Sequence, residues 1–147
     1  MESNGEILRY GYDRNIGDLN IMMKDLEHVS REVAKNCVGE GWASLIDEAY
    51  DIIDAFNKKV HSIDVLQVKE KFGTLRIYVR NRVKVTEHSV TNMIEPELFE
   101  DIWVRIHEIE IRSAKTCEGC GDSSTIRDVR GWYKSLCDAC LIKNLED

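Results

Sequence analysis

Four cysteines near the C-terminus form two Cys-x-x-Cys pairs that are separated by sixteen residues. They are Cys117, Cys120, Cys137 and Cys140. Two residues between cysteines allow a tight turn to direct both thiolates at one ion, and two such turns supply the four sulfurs of a tetrahedral Zn²⁺ site. Because four protein ligands leave no position for water, the sequence predicts one structural zinc ion rather than a catalytic one.

The residues around these cysteines predict a metal-binding module over residues 115–147. Short strands are indicated at 125–129 and 132–136, and a short helix follows the second cysteine pair. A knuckle, a hairpin and a ligand pair at a helix start resemble a treble-clef zinc finger, with a zinc ribbon as the alternative. The module contains no histidine, which a treble-clef nuclease of the HNH type needs, so we do not expect that activity.

The composition of the 147-residue chain restricts the classes of function. A net charge of −7 argues against wholesale nucleic-acid binding. No window approaches the roughly 18 consecutive apolar residues of a membrane span, and the acidic start is unlike a secretory signal. We therefore expect a cytoplasmic protein without membrane contacts, whose reduced thiols bind metal rather than form disulfides.

A β-hairpin is predicted over residues 66–80, where apolar and polar residues alternate with a period of two. Gly73 gives the backbone freedom for a two-residue turn with Phe72. This register predicts two facing pairs, Lys69 with Arg76 and Gln67 with Tyr78. It also predicts an apolar face of Leu66, Val68, Leu75, Ile77 and Val79. The opposite face carries the candidate partner-binding residues Lys69, Lys71, Arg76, Tyr78 and Arg80.

This basic face reverses the charge of the rest of the chain. Residues 66–84 carry +5, so the remainder carries −12. Two facing cations are mildly destabilising unless an anion lies nearby. That anion could belong to acidic positions in 47–54 or 95–110, to a protein partner, or to nucleic-acid phosphates beside a stacking Tyr78.

The remaining segments predict helices that pack on the hairpin. Residues 42–60 have the clearest apolar stripe at helical spacing, and a long helix over 95–114 leads into the first cysteine pair. Residues 17–36 have a similar pattern. We therefore expect an α+β fold with an N-terminal segment and helix (1–38), a core (39–114) and the metal-binding module (115–147). Residues 82–94 are expected to form a loop with a short strand at 83–85.

Three motifs occur together in this chain: Gly39-Glu40-Gly41-Trp42, the run QVKEKFGTLR at 67–76, and the paired cysteines with Gly131-Trp132 between them. In this order they resemble a group of small uncharacterised proteins from bacteria and their phages. The resemblance implies a hairpin, then a helix and a zinc knuckle, in a prokaryotic cell or a phage-infected host. It favours an inhibitor or adaptor that acts by binding, and it implies no activity.

No residue pattern indicates catalysis. Acidic residues show no paired spacing, and the fifth cysteine, Cys37, has no partner at metal-ligand spacing, so we expect it to be buried or inert. The expected function is therefore that of a non-enzymatic accessory or regulatory protein that binds another protein, with a phage-encoded inhibitor of a host system as one version. The alternative is a nucleic-acid-binding regulator that uses the basic hairpin.

Overall fold

Four α-helices and three two-stranded antiparallel sheets make up the residues that this computed structural model describes, which are 28–60, 63–81, 84–85, 90–91 and 96–146. The elements are α1 (Arg31–Asn36), a 3₁₀ helix (Glu40–Trp42), α2 (Ala43–Val60), β1 (Ile63–Lys71), β2 (Thr74–Asn81), β3 (Lys84–Val85), β4 (Val90–Thr91), α3 (Pro96–Ser113), β5 (Thr125–Val129), β6 (Trp132–Leu136) and α4 (Asp138–Glu146). The predicted α+β class is confirmed. Among the described helices, none combines the length and apolar character that crossing a bilayer requires.

The main core lies between helices α2 and α3 and the inner face of the β1–β2 hairpin. The apolar stripes that predicted these helices are buried, including Ile46, Ala49 and Ile53 of α2 and Ile102, Ile106 and Ile109 of α3. Each buried isoleucine side chain stabilises the fold by about 1.5–3 kcal/mol. The predicted helices over 42–60 and 95–114 are thus confirmed, and both are fixed by burial against the hairpin.

The hairpin has the predicted register near its turn and a β-bulge farther away. Lys69 faces Arg76 and Gln67 faces Tyr78, so both predicted pairs are confirmed. The register then shifts between Val65 and Gln67, which makes Leu66 the extra residue. Leu66 is therefore only half-buried, and the prediction that it belongs to the apolar face is wrong.

Helix α3 closes the outer edge of strand β2 with two buried polar side chains. The Leu75 backbone N–H donates to Ser113 Oγ at 2.8 Å, and the Ile77 N–H donates to a Glu110 carboxylate oxygen at 2.7 Å. An unpaired strand edge is a template for association with other chains. These bonds cover it, and they hold the C-terminal end of α3 at the hairpin, where the chain enters the metal-binding module.

The N-terminal helix is shorter than predicted in the described residues. Positions 17–27 of the predicted 17–36 helix lie outside them. The Val29 N–H donates to Val65 O at 2.8 Å, and Ser30 caps the helix by accepting from the Val33 N–H, so residues 28–30 are not helical and that part of the prediction is wrong. The predicted short strand near 83–85 corresponds to β3, which pairs with β4; the other residues of that loop lie outside the described part.

Helix α1 neutralises the acidic face of helix α2. Arg31 donates to Asp51 and Asp54 at 2.9 Å each and to Asp47 at 3.2 Å. The Lys35 ammonium lies 2.8 Å from Asp47, and hydrogen bonding to it is the main cause that lowers the pKa of the Asp47 carboxyl. These α2 carboxylates therefore pair with α1 and not with the basic hairpin.

The β1–β2 turn places an aromatic residue in a strained backbone conformation. Phe72 has a φ of 54° and Gly73 a φ of 82°, the positive pair that favours Asn-Gly in two-residue turns. The left-handed region costs an ordinary residue about 1–2 kcal/mol, and Phe72, which is 63% exposed, recovers little by burial.

We therefore expect Phe72→Asn to raise the free energy of unfolding by about 1 kcal/mol, because asparagine tolerates this conformation better. Urea denaturation of the full chain measures the change. Phe72→Ala keeps the strained φ and is the control that should show no such gain. A Phe72→Asn protein less stable than the parent would contradict the explanation.

Candidate functional site

The first cysteine pair lies on a tight knuckle that directly follows helix α3. The Cys117 N–H donates to Asp122 O at 2.7 Å, and the Gly121 N–H donates to Cys117 O at 2.8 Å, which closes the turn. Gly121 has a φ of +87°, a conformation that favours glycine. Cys117 is fully buried, while Cys120 is exposed on the outer side of the knuckle.

The second pair lies at the start of helix α4. Strand β6 ends at Leu136, and the Leu141 N–H then donates to Cys137 O at 2.9 Å as the helix begins. Cys140 lies in the first helical turn, and its N–H approaches Cys137 Sγ at 3.5 Å. Cys137 and Cys140, together with Leu141, pack on the small cluster of Cys117, Val129 and Leu136.

The four sulfurs are close enough together to bind a single ion. All four Sγ atoms lie within 4.8 Å of one another, and those of Cys120 and Cys137 are 3.7 Å apart. Tetrahedral zinc with Zn–S bonds of about 2.3 Å requires sulfurs about 3.8 Å apart. The donor set and its spacing therefore fit a four-thiolate metal site formed by the four predicted cysteines.

The surroundings of Cys117 and Cys140 shift the pKa values of these two thiols in opposite directions. Burial raises the pKa of Cys117, but backbone N–H groups, with that of Cys137 first, lower it to about 6. The hydrogen bond with the Cys117 side chain is the main cause that raises the pKa of Cys140 to about 12. A Cys140 thiolate at neutral pH therefore requires a bound cation to stabilise it.

The knuckle rests directly on the Gly39-Glu40-Gly41-Trp42 motif. The Gly41 N–H donates to Glu118 O at 3.0 Å, and the fully buried Trp42 donates its indole Nε1–H to Thr116 O at 2.8 Å. A Cβ on Gly39 or Gly41 would overlap the backbone of residues 117–118. The two glycines are therefore needed because two backbones touch at this point.

The turn of the β1–β2 hairpin also contacts the metal-binding module. Ser135 Oγ of strand β6 donates to Gly73 O at 2.6 Å and lies 3.1 Å from Ala114 O at the end of α3. The Ser135 backbone N–H donates to a Glu118 carboxylate oxygen at 3.0 Å, and burial raises the pKa of that carboxyl. The fully buried Ser135 thus joins the hairpin, the long helix and the knuckle.

These contacts were not predicted from the sequence, although two signals were visible. The glycines that flank Glu40 belong to one of the three sequence motifs, and Ser135 is one polar residue in a predicted short strand. In the structure, the three sequence motifs meet at one place. They are the tryptophan motif, the hairpin turn and the cysteine knuckle. Residues 39–114 and residues 115–147, which were predicted as separate units, therefore contact each other extensively.

The candidate partner-binding residues lie on the outer face of the hairpin. One of them, Arg80, is neutralised by a neighbouring carboxylate. Lys69 Nζ is 5.5 Å from the centre of the Tyr78 ring, and Arg76 Nε donates to Thr74 Oγ1 at 3.1 Å. Lys71 is exposed beside the turn. Arg80, by contrast, lies 3.3 Å from the buried Asp64 carboxylate and is neutralised within the protein.

Cys37 lies apart from the metal cluster. Its thiol is exposed and donates to Val33 O at 3.2 Å, so the expectation of a buried thiol is wrong. Among the described residues, the four-cysteine cluster is the group that could hold a metal ion, and Cys37 is not part of it. This residue can therefore serve as a control for the cysteine substitutions discussed below.

Comparisons of the chain with protein-family models, curated proteins and solved structures find no match.

Proposed function

We propose that the chain is a non-enzymatic, zinc-stabilised accessory or regulatory protein that binds another protein through the outer face of its β1–β2 hairpin. One structural Zn²⁺ would be held by Cys117, Cys120, Cys137 and Cys140. An all-thiolate tetrahedral donor set favours zinc or an iron–sulfur cluster, and the close sulfur spacing suits a single ion. The order of knuckle, hairpin and ligand-bearing helix supports a treble-clef arrangement of the module.

The observation that carries the binding proposal is the unneutralised charge on the hairpin. Lys69, Lys71 and Arg76 form no ion pair with any carboxylate in the described part of the chain. The anion inside this segment, Glu70, instead accepts a hydrogen bond from the Gly73 N–H at 2.7 Å. Facing cations that have no carboxylate partner among the described residues are stabilised well by an external anion.

A protein partner in the cytoplasm agrees best with the rest of the molecule. The chain carries a net charge of −7, which at long range repels the continuous charge of a nucleic acid. A small acidic patch on a protein needs only a few cations. The resemblance to bacterial and phage proteins supports one specific version, a phage-encoded inhibitor that binds a component of its host.

The second candidate is a nucleic-acid-binding regulator. It is favoured by Tyr78, whose ring lies beside Lys69 and could stack on a base while the cations contact phosphates. Such binding would weaken steeply as salt concentration rises, because each phosphate contact releases a condensed counterion.

Lys69→Glu tests the proposal without disrupting the fold. The substitution removes the Lys69 cation and places a carboxylate opposite Arg76. This opposite-charge pair should stabilise the hairpin by about 0.2–1 kcal/mol. The measurement is affinity capture from a nuclease-treated host lysate, with the captured partner quantified by mass spectrometry. We expect the variant to capture less than about a tenth of the amount of partner that the parent captures.

Lys59→Glu on helix α2 is the matched control, since Lys59 is exposed and the change in net charge is the same. The control should capture the partner as the parent does. Equal capture by Lys69→Glu would contradict the proposal, and capture that disappears after nuclease treatment would favour the nucleic-acid alternative.

A further inference from the structure

The hairpin turn exposes a large aromatic side chain at a position where its backbone is strained. Phe72 has the positive φ that asparagine or glycine adopts more readily, and 63% of its surface is exposed to solvent. Neither local conformation nor core packing therefore explains a phenylalanine here. A strained residue at a surface turn points to a role in binding.

The turn lies against a second exposed apolar surface on the metal-binding module. A Cβ on Gly73 would lie 3.2 Å from Ile126 Cγ1, so the turn and Ile126 are in close contact. Ile126 faces Ser135 across the β5–β6 hairpin, and Tyr133 lies two residues before Ser135 on the same face. Ile126 is 42% exposed and Tyr133 51% exposed.

We infer that Phe72, Ile126 and Tyr133 form an apolar seam between the two hairpins, which receives the apolar side chains of an acidic protein segment. The inference rests on the proposed function and names the chemistry of its partner. The segment is acidic because it must complement the cations beside the seam. The Lys71 ammonium lies 5.9 Å from the centre of the Phe72 ring, and Lys69 and Arg76 continue along the same hairpin.

The seam suits a polypeptide better than a nucleic acid. Ile126 is an aliphatic residue that cannot stack on a base as an aromatic ring does. An interface anchor typically combines an aromatic or aliphatic side chain with a polar, charged rim. The seam has that arrangement, because its apolar residues lie at the junction of the two hairpins and the cations lie along one side. The partner segment would then alternate carboxylates with apolar side chains.

The test is a selection of random peptides of about 12 residues on the immobilised, zinc-loaded full chain. We expect the recovered peptides to be enriched in Asp and Glu together with aliphatic or aromatic residues. Fluorescence anisotropy of a synthesised peptide should then show binding that weakens by at least about fivefold in Phe72→Asn, a variant that is expected to fold at least as stably as the parent.

Ile142→Asn is the control, since Ile142 is an exposed aliphatic residue of α4 outside the seam. It should bind the peptide as the parent does. The inference is overturned if no peptide is recovered, if Phe72→Asn binds unchanged, or if a single-stranded oligonucleotide of equal length binds more tightly than the peptide.

The outcomes separate the inference from the proposed function. If Lys69→Glu loses the cellular partner while Phe72→Asn retains both the partner and the peptide, the basic face binds and the seam does not. If neither variant loses the partner, both the seam and the proposed function are wrong.

Discussion

Chelation of the bound metal is expected to unfold residues 115–147 while the helices within residues 42–109 remain formed. The buried cluster of the module consists of Cys117, Val129 and Leu136 with three partly buried neighbours, which is too small to fold unaided. Structural zinc contributes about 10–16 kcal/mol of apparent binding free energy in small fingers. The core retains its own buried residues on α2, α3 and the hairpin.

Two spectroscopic signals distinguish unfolding of the metal-binding module from unfolding of the core. Far-ultraviolet circular dichroism should keep most of its helical signal, because α2 and α3 have 18 residues each and α4 has nine. The NMR resonance of the Trp42 indole N–H should move, since its acceptor, Thr116 O, lies at the edge of the module.

Cys117→Ser should reproduce the effect of the chelator, and Cys37→Ser should change neither signal because Cys37 is exposed and outside the cluster. An unchanged Trp42 resonance in Cys117→Ser would contradict this expectation. It would show that the contact between the core and the knuckle does not depend on the metal site.

Gly41→Ala is expected to separate the module from the core, with a loss of at least about 3 kcal/mol of stability. Its Cβ would overlap Cys117 O and lie 2.6 Å from Gly121 N, and both atoms belong to the backbone of the knuckle. Backbone cannot rotate away as a flexible side chain can. The Gly41 N–H to Glu118 O bond and the Trp42 indole bond should be lost with this contact.

Gly131→Ala provides the comparison for the Gly41 variant. Gly131 has a φ of +91°, but a Cβ there would meet no atom within 4 Å. The cost is then conformational strain alone, about 1–2 kcal/mol. Denaturant unfolding of the zinc-loaded proteins measures both values. A Gly41→Ala protein as stable as Gly131→Ala would show that the knuckle does not approach the 3₁₀ helix as closely as described.

Features that depend on local geometry were predictable from the sequence. The spacing of cysteines in each pair specifies a turn, so the sequence alone identifies the four candidate ligands. The Phe72-Gly73 turn defines the nearest strand pairs, and Lys69 does face Arg76. The stripes of α2 and α3 identified both helices because one face of each is buried.

The features that were missed depend on contacts between distant segments. The bulge at Leu66 shifts the register by one residue, which places Asp64, instead of Val65, opposite Arg80. Arg80 is therefore paired internally, although the alternating pattern assigned it to the partner surface. The approach of Gly41 to Cys117 and the bonds of Ser135 likewise join residues far apart in sequence, which periodicity cannot relate.

Native mass spectrometry of the purified full chain, with the metal counted per folded molecule, tests most directly whether zinc holds this structure together. We expect one Zn²⁺ per chain, and we expect it to be lost when a cysteine of the cluster is replaced but retained in Cys37→Ser. A folded chain that contains no metal, and that keeps the Trp42 indole resonance after treatment with a chelator, would contradict this structural role.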